Sequence, residues 1–462
     1  MVFLCLIFSL ERDVKMRAND RFDLNKLTPA QVLALGYLVV ILIGSILLSL
    51  PIATASGQSM PFVDALFTAT SATAVTGLIV ENTSTFFSMF GQIVIMILIQ
   101  IGGLGIMSMS TLFALLVGKK ITLKERLVIQ QDLDQFQLSG IIRLVRYVLM
   151  VAFTIEGVGA LILFLRLLKD YPPLKALYFA IFHAVSAFNN AGFDLFGNSL
   201  ENFTGDITIN LVITTLIILG GIGFAVIAEL YSNKRNFKRY SLQTKLVLSV
   251  TIFLIIFGTI VVFALEYSNP ETIGDLSLGD KALASYFLSV TPRTAGFNTV
   301  PTGALKSSTL FFVIILMFIG ASPGSTGGGV KTTTFGAVVA VVYAMMTGRR
   351  DIEIFKRRLA KEIIFKALSI IIISLLLIVT VTMILTITED MNFLDLFFET
   401  VSAFGTVGLS TGVTGKLSII GKVLITLTMF AGRVGPLTLA LAIGYKEEKA
   451  NIRYPKEKIL VG

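Results

Sequence analysis

Four glycines recur along the chain in surroundings that could hold a dehydrated cation. An aromatic residue lies ten positions before each of them, and a large apolar residue follows directly. A cation without its water shell needs several oxygen atoms around it, and backbone carbonyls supply them without burying a charge. Glycine tolerates the backbone angles that point such carbonyls inward. A spacing of roughly 110 residues indicates a fourfold internal repeat centred on Gly77, Gly192, Gly296 and Gly408.

The residues beside the four glycines differ in how well they suit this role. Residues 406–409 read Thr-Val-Gly-Leu, close to the Thr-Val-Gly-Tyr core of potassium-channel filters, whereas residues 189–192 read Asn-Asn-Ala-Gly and match it poorly. One such copy alone would indicate a turn, but four copies in register indicate a ring of carbonyls around one axis. The predicted ion-binding residues are Val75, Thr76, Gly77, Asn190, Ala191, Gly192, Thr294, Ala295, Gly296, Thr406, Val407 and Gly408.

Each glycine lies at the end of a short amphipathic segment between two long apolar segments. The short segments have roughly ten to sixteen residues and cannot cross a hydrocarbon core of about 30 Å. We therefore expect re-entrant half-helices whose C-terminal dipoles face the cation. The first long segments cover residues 29–50, 141–168, 242–267 and 363–387, the short ones cover 62–75, 174–189, 281–292 and 393–405, and the second long ones begin near 91, 207, 309 and 417.

The composition indicates that lipid is the solvent. Hydrophobic residues make up 55% of the 462-residue chain and charged residues only 15%, against about 25% charged residues in soluble domains. Basic residues concentrate in the N-terminal arm, in alternate loops and in the C-terminal tail, whereas the intervening loops are acidic. This pattern places both termini in the cytoplasm, and the lack of a base-reading motif argues against nucleic-acid binding. One cysteine and one histidine exclude a disulfide framework, a zinc site and a Cys–His catalytic site, so no enzyme is expected.

The predicted fold is an all-α integral membrane protein with four span–pore-helix–span repeats. It would have eight transmembrane helices and four re-entrant pore helices around a pseudo-fourfold central pore. Either Met1 or Met16 could be the start of the chain. The predicted divisions are a cytoplasmic N-terminal arm at 1–28, repeats at 29–118, 139–232, 240–347 and 360–445, and a cytoplasmic C-terminal tail at 446–462.

Further glycine clusters lie about 25 residues past the four glycines. In the first two repeats, at 102–105 and 220–223, close packing of helices is the simplest interpretation. In the third repeat the glycines and the proline of residues 320–331 oppose a continuous helix. Irregular backbone at membrane depth must be buried or line a water-filled cavity, so we predict a gating loop that faces the pore. The candidate gating residues are Gly320, Ala321, Ser322, Pro323, Gly324, Ser325, Thr326, Gly327, Gly328, Gly329, Lys331 and Arg433.

Several polar residues lie within apolar segments. A charge in mid-membrane costs roughly 3 kcal/mol, so we predict that Arg433 binds the gating loop below the filter and raises the barrier to cations. A purely structural role, as a buried partner for a carboxylate or for loop carbonyls, is the alternative. Glu156, His183 and Glu399 could anchor helices or relay protons, and anchoring is the simpler interpretation. Arg293 is expected to hold the filter rim through backbone carbonyls.

Over residues 29–445 these features resemble the membrane subunit of the Trk/Ktr/HKT potassium transporters, and the short N-terminal arm resembles the bacterial Ktr type (KtrB-like). The resemblance implies a gated potassium uptake subunit of the bacterial plasma membrane, with K⁺ at the filter carbonyls and no cofactor in this chain. It allows Na⁺ as an activator. It also implies a homodimer on a cytoplasmic ring of nucleotide-binding regulatory subunits (KtrA-like). Basic loops at 234–245 and 349–366 are candidate docking surfaces, unless they carry only positive-inside charge.

Three other classes stay open at this point. Residues 324–332 approach a phosphate-binding P-loop, but Val330 separates the last glycine from Lys331, and an apolar run replaces the soluble strand that should precede it. A secondary transporter, such as an ion-coupled symporter with a midplane site on broken helices, would show saturable, coupled flux. A purely structural membrane subunit is the third. The sequence decides neither K⁺ against Na⁺ selectivity nor the regulating nucleotide.

Overall fold

The computed structural model describes residues 28–116, 121–133, 141–233, 236–349, 351–439 and 457. The predicted N-terminal arm, the choice between Met1 and Met16, and almost all of the predicted C-terminal tail lie outside these residues. The described chain is predominantly helical, as predicted, and its two strands form one small hairpin. A long helix, a short helix, a glycine loop and a second helix follow one another in this order four times.

The helix starts follow local capping rules. In the first helix Thr28 and Gln31 each bond the other's backbone N–H, and Pro29 occupies the first helical position. The first repeat consists of α1 (Pro29–Ser49), α2 (Phe62–Thr73), α3 (Thr83–Phe86), α4 (Met89–Leu104) and α5 (Ile106–Leu116), and α6 (Leu123–Asp132) follows it. The second repeat consists of α7 (Ile141–Leu167), α8 (Pro173–Phe188), α9 (Ile207–Gly221) and α10 (Phe224–Ser232).

The third and fourth repeats have the same order of elements. The third consists of α11 (Leu242–Glu266), α12 (Leu278–Val290), α13 (Ser307–Phe318) and α14 (Thr332–Met346). An antiparallel hairpin of β1 (Glu353–Ile354) and β2 (Arg357–Arg358) precedes α15 (Lys361–Thr388), α16 (Phe393–Gly405) and α17 (Ile419–Val434). Single 3-10 turns lie at Pro51–Ala53, Glu201–Phe203, Phe237–Arg239, Thr302–Ala304 and Thr414–Lys416. The predicted bounds of the four long first helices and the four short helices, and the predicted starts of the second helices, lie within three residues of the observed ones.

Within the described residues, four helices are long and apolar enough to cross a membrane, namely α1, α7, α11 and α15. The bent pair α9 and α10 makes a fifth if it is counted as one span. The long helices expose large apolar side chains, such as Ile46, Leu161, Ile260 and Leu376. An apolar surface of this extent requires lipid or a partner. The eight continuous spans of the prediction are not observed as such, because the second helix of each repeat is short or interrupted.

The second helices break at their glycine clusters, which corrects the expectation of long second spans in the first two repeats. Gly105 at φ 86° and Gly223 at φ 94° adopt left-handed backbone angles that residues with side chains rarely adopt. The second of these breaks bends the chain by 97° between α9 and α10. Gly435, at φ 90°, ends α17 in the same way. A break at this level is therefore common to all four repeats.

Glycines just before these breaks also allow close helix packing, as predicted for the first two repeats. A Cβ added to any of them would collide with a backbone carbonyl near the C-terminus of the short helix in the same repeat. The colliding pairs are Gly102 with Thr73, Gly220 with Phe188, and Gly432 with Phe404.

A half-buried ion pair joins the last repeat to the first. Lys422 Nζ on α17 lies 2.6 Å from Asp64 Oδ1 on α2, and the two side chains are only 14% and 16% exposed. We expect Lys422→Ala to lower the free energy of unfolding by roughly 1–3 kcal/mol, because it leaves Asp64 desolvated without its partner. The exposed pair of Arg358 and Asp351 provides the control, and Arg358→Ala should change stability by less than about 1 kcal/mol. Thermal unfolding in detergent measures both, and equal shifts would contradict the prediction.

Candidate functional site

The four glycine loops meet in a closed ring. A Cβ added to Gly77 would lie 3.2 Å from the Cα of Gly192, and one added to Gly192 would lie 3.0 Å from the Cα of Gly296. A Cβ added to Gly296 would lie 3.3 Å from the Cα of Gly408, and one added to Gly408 would lie 2.9 Å from the Cα of Gly77, which closes the ring. In each contact the atom nearest to the added Cβ is a carbonyl oxygen of the neighbouring repeat, so the ring has no room for side chains at these positions. These oxygens belong to Ala191, Ala295, Val407 and Thr76.

Each filter triplet, meaning the three residues that end at one of these glycines, has the same backbone pattern. The glycines have φ between 70° and 93°, and the first residue of each triplet also has positive φ, whereas the middle residue does not. In an ordinary strand successive carbonyls point to opposite sides, but alternation in the sign of φ turns them to the same side. The left-handed first residues are Val75, Asn190, Thr294 and Thr406, with φ of 57°, 59°, 71° and 51°.

Positive φ at these first residues is strained, because three of them are β-branched. Strained backbone of this kind persists only where the surroundings impose it, and it concentrates at functional sites. This strain is not predictable from the residue types, since Val and Thr disfavour left-handed backbone angles. The twelve predicted ion-binding residues are thus brought together, and all are buried except the half-buried Gly192 and Gly408.

Hydroxyl groups on the short helices hold the first and fourth triplets, and their residues are not among the predicted site residues. Ser71 Oγ accepts a hydrogen bond from the Gly77 N–H at 3.0 Å, and Ser402 Oγ accepts one from the Gly408 N–H at 3.1 Å. Ser71 also accepts the Thr76 N–H through its backbone carbonyl, at 2.8 Å. These bonds engage the N–H groups of the triplets and leave their carbonyls available.

The second and third loops use the hydroxyl differently. Ser186 Oγ donates to the carbonyl of Phe193 at 2.7 Å, and Thr291 Oγ1 donates to the carbonyl of Phe297 at 2.5 Å. Both carbonyls belong to the residue that follows the filter glycine. A Ser lies six positions before the filter glycine in the first, second and fourth repeats, and a Thr lies five positions before it in the third repeat. These residues could have been predicted from this periodic signal.

The second triplet is cross-linked to the third through Asn190. Its Nδ2 donates to the Arg293 carbonyl and to Thr294 Oγ1, both at 3.2 Å. The Arg293 guanidinium does not hold the filter rim, which corrects the expectation. It lies 6% exposed against α11, where Nη2 donates to Thr251 Oγ1 at 3.2 Å. The reason is that α11 packs on α12 and presents both the hydroxyl and, at 3.5 Å, the backbone carbonyl of Thr251 to the guanidinium.

Glu156 anchors the end of the second short helix. Gln100 Nε2 donates to both carboxylate oxygens, at 3.0 and 3.1 Å, and Asn189 Nδ2 donates to Oε1 at 3.0 Å. The cluster joins α7, α4 and the C-terminus of α8, in agreement with the anchoring interpretation. His183 and Glu399 are also buried, and both bond to the segment that follows the filter glycine of their own repeat.

Residues 319–331 form a compact loop. The Gly320 N–H donates to the carbonyl of Val330 at 2.9 Å, and the Ala321 N–H donates to the carbonyl of Gly328 at 3.3 Å. These bonds fold the loop back on itself between α13 and α14. Because a helix, and no strand, precedes the loop, the phosphate-binding P-loop lacks the structural context that it requires.

The loop contacts the ring directly. The Gly328 N–H donates to Thr406 Oγ1 at 3.0 Å, and a Cβ added to Gly327 would collide with Thr294 Oγ1. Lys331 Nζ donates to the Gly327 carbonyl at 2.7 Å, and this hydrogen bond satisfies a carbonyl within the loop. The loop therefore lies against the first residues of the third and fourth filter triplets, with glycines at the points of closest approach.

The loop is also bonded to the interrupted second helix of the second repeat. The Ser322 N–H donates to the Gly221 carbonyl at 2.9 Å, and the Thr326 N–H donates to the Gly220 carbonyl at 3.2 Å. These carbonyls lie at the C-terminus of α9, where no further turn of helix uses them. The break in α9 thus supplies the acceptors that hold the loop.

Arg433 bonds to the loop, a contact that the gating interpretation and the structural interpretation both predict. Its Nη1 donates to the carbonyl of Thr326 in the loop, and its Nη2 donates to the carbonyl of Gly102 at the end of α4. The Gly103 carbonyl lies 3.4 Å from Nη2, and the Tyr37 hydroxyl lies 3.4 Å from Nε. The guanidinium therefore bridges the first, third and fourth repeats at the level of the breaks.

Side chains beyond the ring link neighbouring repeats. Asn82 Nδ2 donates to the Gly197 carbonyl at 2.6 Å, and Asn298 Nδ2 donates to Glu201 Oε1 at 2.8 Å. Partial burial raises the pKa of the Glu201 carboxyl above its ordinary value, and the hydrogen bond from Asn298 opposes this effect. These contacts connect the segments that follow the filter triplets of the first three repeats.

Residues 3–453 match the sequence model of the TrkH family, which is described as "Cation transport protein". This chain belongs to the TrkH family. With a ring of buried carbonyls and several long apolar helices, it is a multi-pass membrane protein of a family of cation transporters.

Two relatives of this TrkH-family chain match it over almost its whole length. It is 48% identical over 437 residues to Ktr system potassium uptake protein B of Bacillus subtilis, covering 95% of this chain and 97% of that protein. It is 39% identical over 443 residues to potassium/sodium uptake protein NtpJ of Enterococcus hirae, covering 95% and 98%. The crystal structure of the potassium transporter TrkH from Vibrio parahaemolyticus has the same fold, with a TM-score of 0.70 at 18% identity over 96% of this chain and 89% of that one.

Proposed function

We propose that this chain is the potassium-selective, ion-translocating subunit of a gated K⁺ uptake system. The closed ring of four filter glycines carries the proposal, because it places a carbonyl oxygen of each repeat against the filter glycine of the neighbouring repeat. Backbone carbonyls and threonine hydroxyls there replace the water shell of K⁺. Since the ring contains no charged side chain, it discriminates among monovalent cations without trapping them. The similarity to proteins named for potassium uptake supports K⁺ as the cargo.

The proposed architecture is four repeats around one pore, with the divisions 29–118, 139–232, 240–347 and 360–445. In this arrangement the four short helices act as pore helices, and the interrupted second helices complete eight crossings of the membrane. The order of elements and the closure of the ring support it. The gate consists of residues 320–331 and Arg433, because the loop contacts two filter triplets and the guanidinium holds it in place.

The proposed assembly is a homodimer in a bacterial plasma membrane, with both termini in the cytoplasm. A cytoplasmic ring of nucleotide-binding regulatory subunits (KtrA-like) would control the gate. The hairpin of β1 and β2 supports docking on the basic side, because its turn at Phe355 and Lys356 and its strand residues are largely exposed. Na⁺ is proposed as an activator and no cofactor is proposed for this chain.

The interrupted second helices also favour a second candidate function, an ion-coupled symporter with its site on broken helices. Purified wild-type protein in proteoliposomes distinguishes the two. For a gated K⁺ pore, the reversal potential should follow the K⁺ gradient alone, and replacing Na⁺ by an impermeant organic cation should not move it. Saturable K⁺ flux that is driven at a fixed stoichiometry by the gradient of a second ion, with no K⁺ gradient present, would favour symport. Flux equal to that of protein-free vesicles would contradict both functions.

A further inference from the structure

We propose that His183 and Glu399 are positioning residues that set the cation selectivity of the ring. They hold the segments that follow the filter glycines of the second and fourth loops, which are called the outer ends of these loops below. This inference rests on the proposed function. Both residues lie nine positions before their own filter glycine, Gly192 or Gly408. They therefore occupy the same register on α8 and α16. Because the ring follows the order of the repeats, the two loops face each other across it.

Glu399 is fully buried and bonds to the chain beyond the fourth glycine. The Thr414 hydroxyl donates to Glu399 Oε1, and the same hydroxyl lies 3.0 Å from the Ser410 hydroxyl. Ser410, two positions after Gly408, in turn accepts the Gly412 N–H at 3.0 Å. Burial of a carboxyl group is costly. The bond to Oε1 offsets part of that cost, whereas Oε2 has no hydrogen-bond partner among the described residues. The Oε1 bond ties the short helix to the outer end of its own loop.

His183 makes the corresponding connection in the second repeat. Its Nε2 accepts the N–H of Leu195, three positions after Gly192, at 3.2 Å. Its Nδ1 lies 2.7 Å from the Phe179 carbonyl, which only an N–H can satisfy, so the partners assign the neutral ring with the proton on Nδ1. The imidazole also stacks on Phe196, with ring centroids 4.1 Å apart. The side chain thus binds the loop through both its ring face and its nitrogen.

The other two repeats lack this connection at the same register. Thr68, nine positions before Gly77, donates only to the Asp64 carbonyl of its own helix, at 2.9 Å. Phe287, nine positions before Gly296, carries no hydrogen-bonding group on its side chain. The tether therefore spans one diagonal of the ring. Selectivity among monovalent cations depends on the number and rigidity of the coordinating oxygens, and a site held more loosely by even a fraction of an ångström loses discrimination.

The test is the K⁺/Na⁺ permeability ratio, measured as a reversal potential on the full chain in proteoliposomes. Glu399→Ala and Thr414→Val each remove one side of the tether and should lower the ratio about tenfold while K⁺ current persists. Glu399→Gln should stay within about twofold of wild type, because its amide oxygen accepts the same hydroxyl. His183→Phe keeps the stacking but loses the Leu195 bond, so it should lower the ratio in the same direction. Thr68→Val is the matched control at the same register and should leave the ratio within about twofold.

An unchanged ratio in folded Glu399→Ala or Thr414→Val would overturn the proposal, as would an equal loss in Thr68→Val. If Glu399→Ala does not yield folded protein, Thr414→Val decides the question, since it removes one hydroxyl at nearly constant volume. A wild type without K⁺ selectivity would overturn the proposed function together with this inference. A selective wild type with unchanged variants would overturn this inference alone.

Discussion

Gly408→Ala is expected to reduce K⁺ uptake at least roughly 100-fold, the loss that corresponds to about 2.7 kcal/mol. A Cβ at this position would collide with the Thr76 carbonyl and lie 2.9 Å from the Cα of Gly77, across the seam between the last and first repeats. The backbone angle adds to this, because φ of 90° costs a residue with a side chain roughly 1–2 kcal/mol. The substitution therefore displaces a carbonyl that the proposed function assigns to the ion. Uptake of K⁺ by a transport-deficient bacterial strain measures the effect.

Gly412→Ala separates the collision from the backbone strain. Gly412 lies four residues further on with nearly the same φ, 92°, but nothing lies within 4 Å of an added Cβ. Uptake by the Gly412→Ala variant should therefore fall by no more than about threefold, because the loop can relax most of the roughly 1–2 kcal/mol of backbone strain. Equal losses in the two variants would show that backbone strain in this loop, and not closure of the ring, limits uptake. Unchanged uptake in Gly408→Ala would contradict the proposed filter.

Arg433→Ala is expected to raise the basal K⁺ flux about tenfold. The guanidinium donates to the carbonyls of Thr326 and Gly102, and a hydrogen bond from a charged group contributes roughly 1.5–3 kcal/mol. If only the closed state loses about 1.4 kcal/mol of stabilisation, the ratio of open to closed protein rises tenfold. Removal of the positive charge also lowers the barrier to cations beneath the filter. Flux from proteoliposomes without a regulatory partner is the measurement.

Arg433→Lys distinguishes the two contributions. Lysine keeps the positive charge but is a single point donor that cannot bridge two carbonyls as the planar guanidinium does. Its variant should have a basal flux between those of wild type and Arg433→Ala. A flux equal to that of wild type would assign the barrier to charge alone. A flux in Arg433→Ala at or below that of wild type, in folded protein, would contradict the gate.

The parts of the site that were predictable are those with a periodic signal. The four glycines and the short helices before them follow from spacing, and the irregular loop at residues 320–331 follows from its glycines and proline. The contact between Arg433 and the loop followed from the cost of a charge at membrane depth. Each of these inferences depends on a local property that repeats or on a single strong energetic term.

The parts that were missed depend on tertiary packing. The left-handed angles of Val75 and Thr406 run against the preference of β-branched residues, so only the assembled ring imposes them. Arg293 was expected at the filter rim but bonds to Thr251, because α11 packs beside it. At Gly105 the same glycine cluster serves both close packing and a helix break, and composition alone does not separate these two uses.

The closed ring comes from one polypeptide, and this has a consequence for how its ion preference can evolve. In an assembly of four identical subunits, one codon change alters every quarter of the conduction path at once. Here the triplets read Val-Thr-Gly, Asn-Ala-Gly, Thr-Ala-Gly and Thr-Val-Gly, so each quarter has diverged by itself. A single mutation therefore alters one quarter of the ring and leaves the other three unchanged, so the oxygen atoms of the proposed filter can change one repeat at a time.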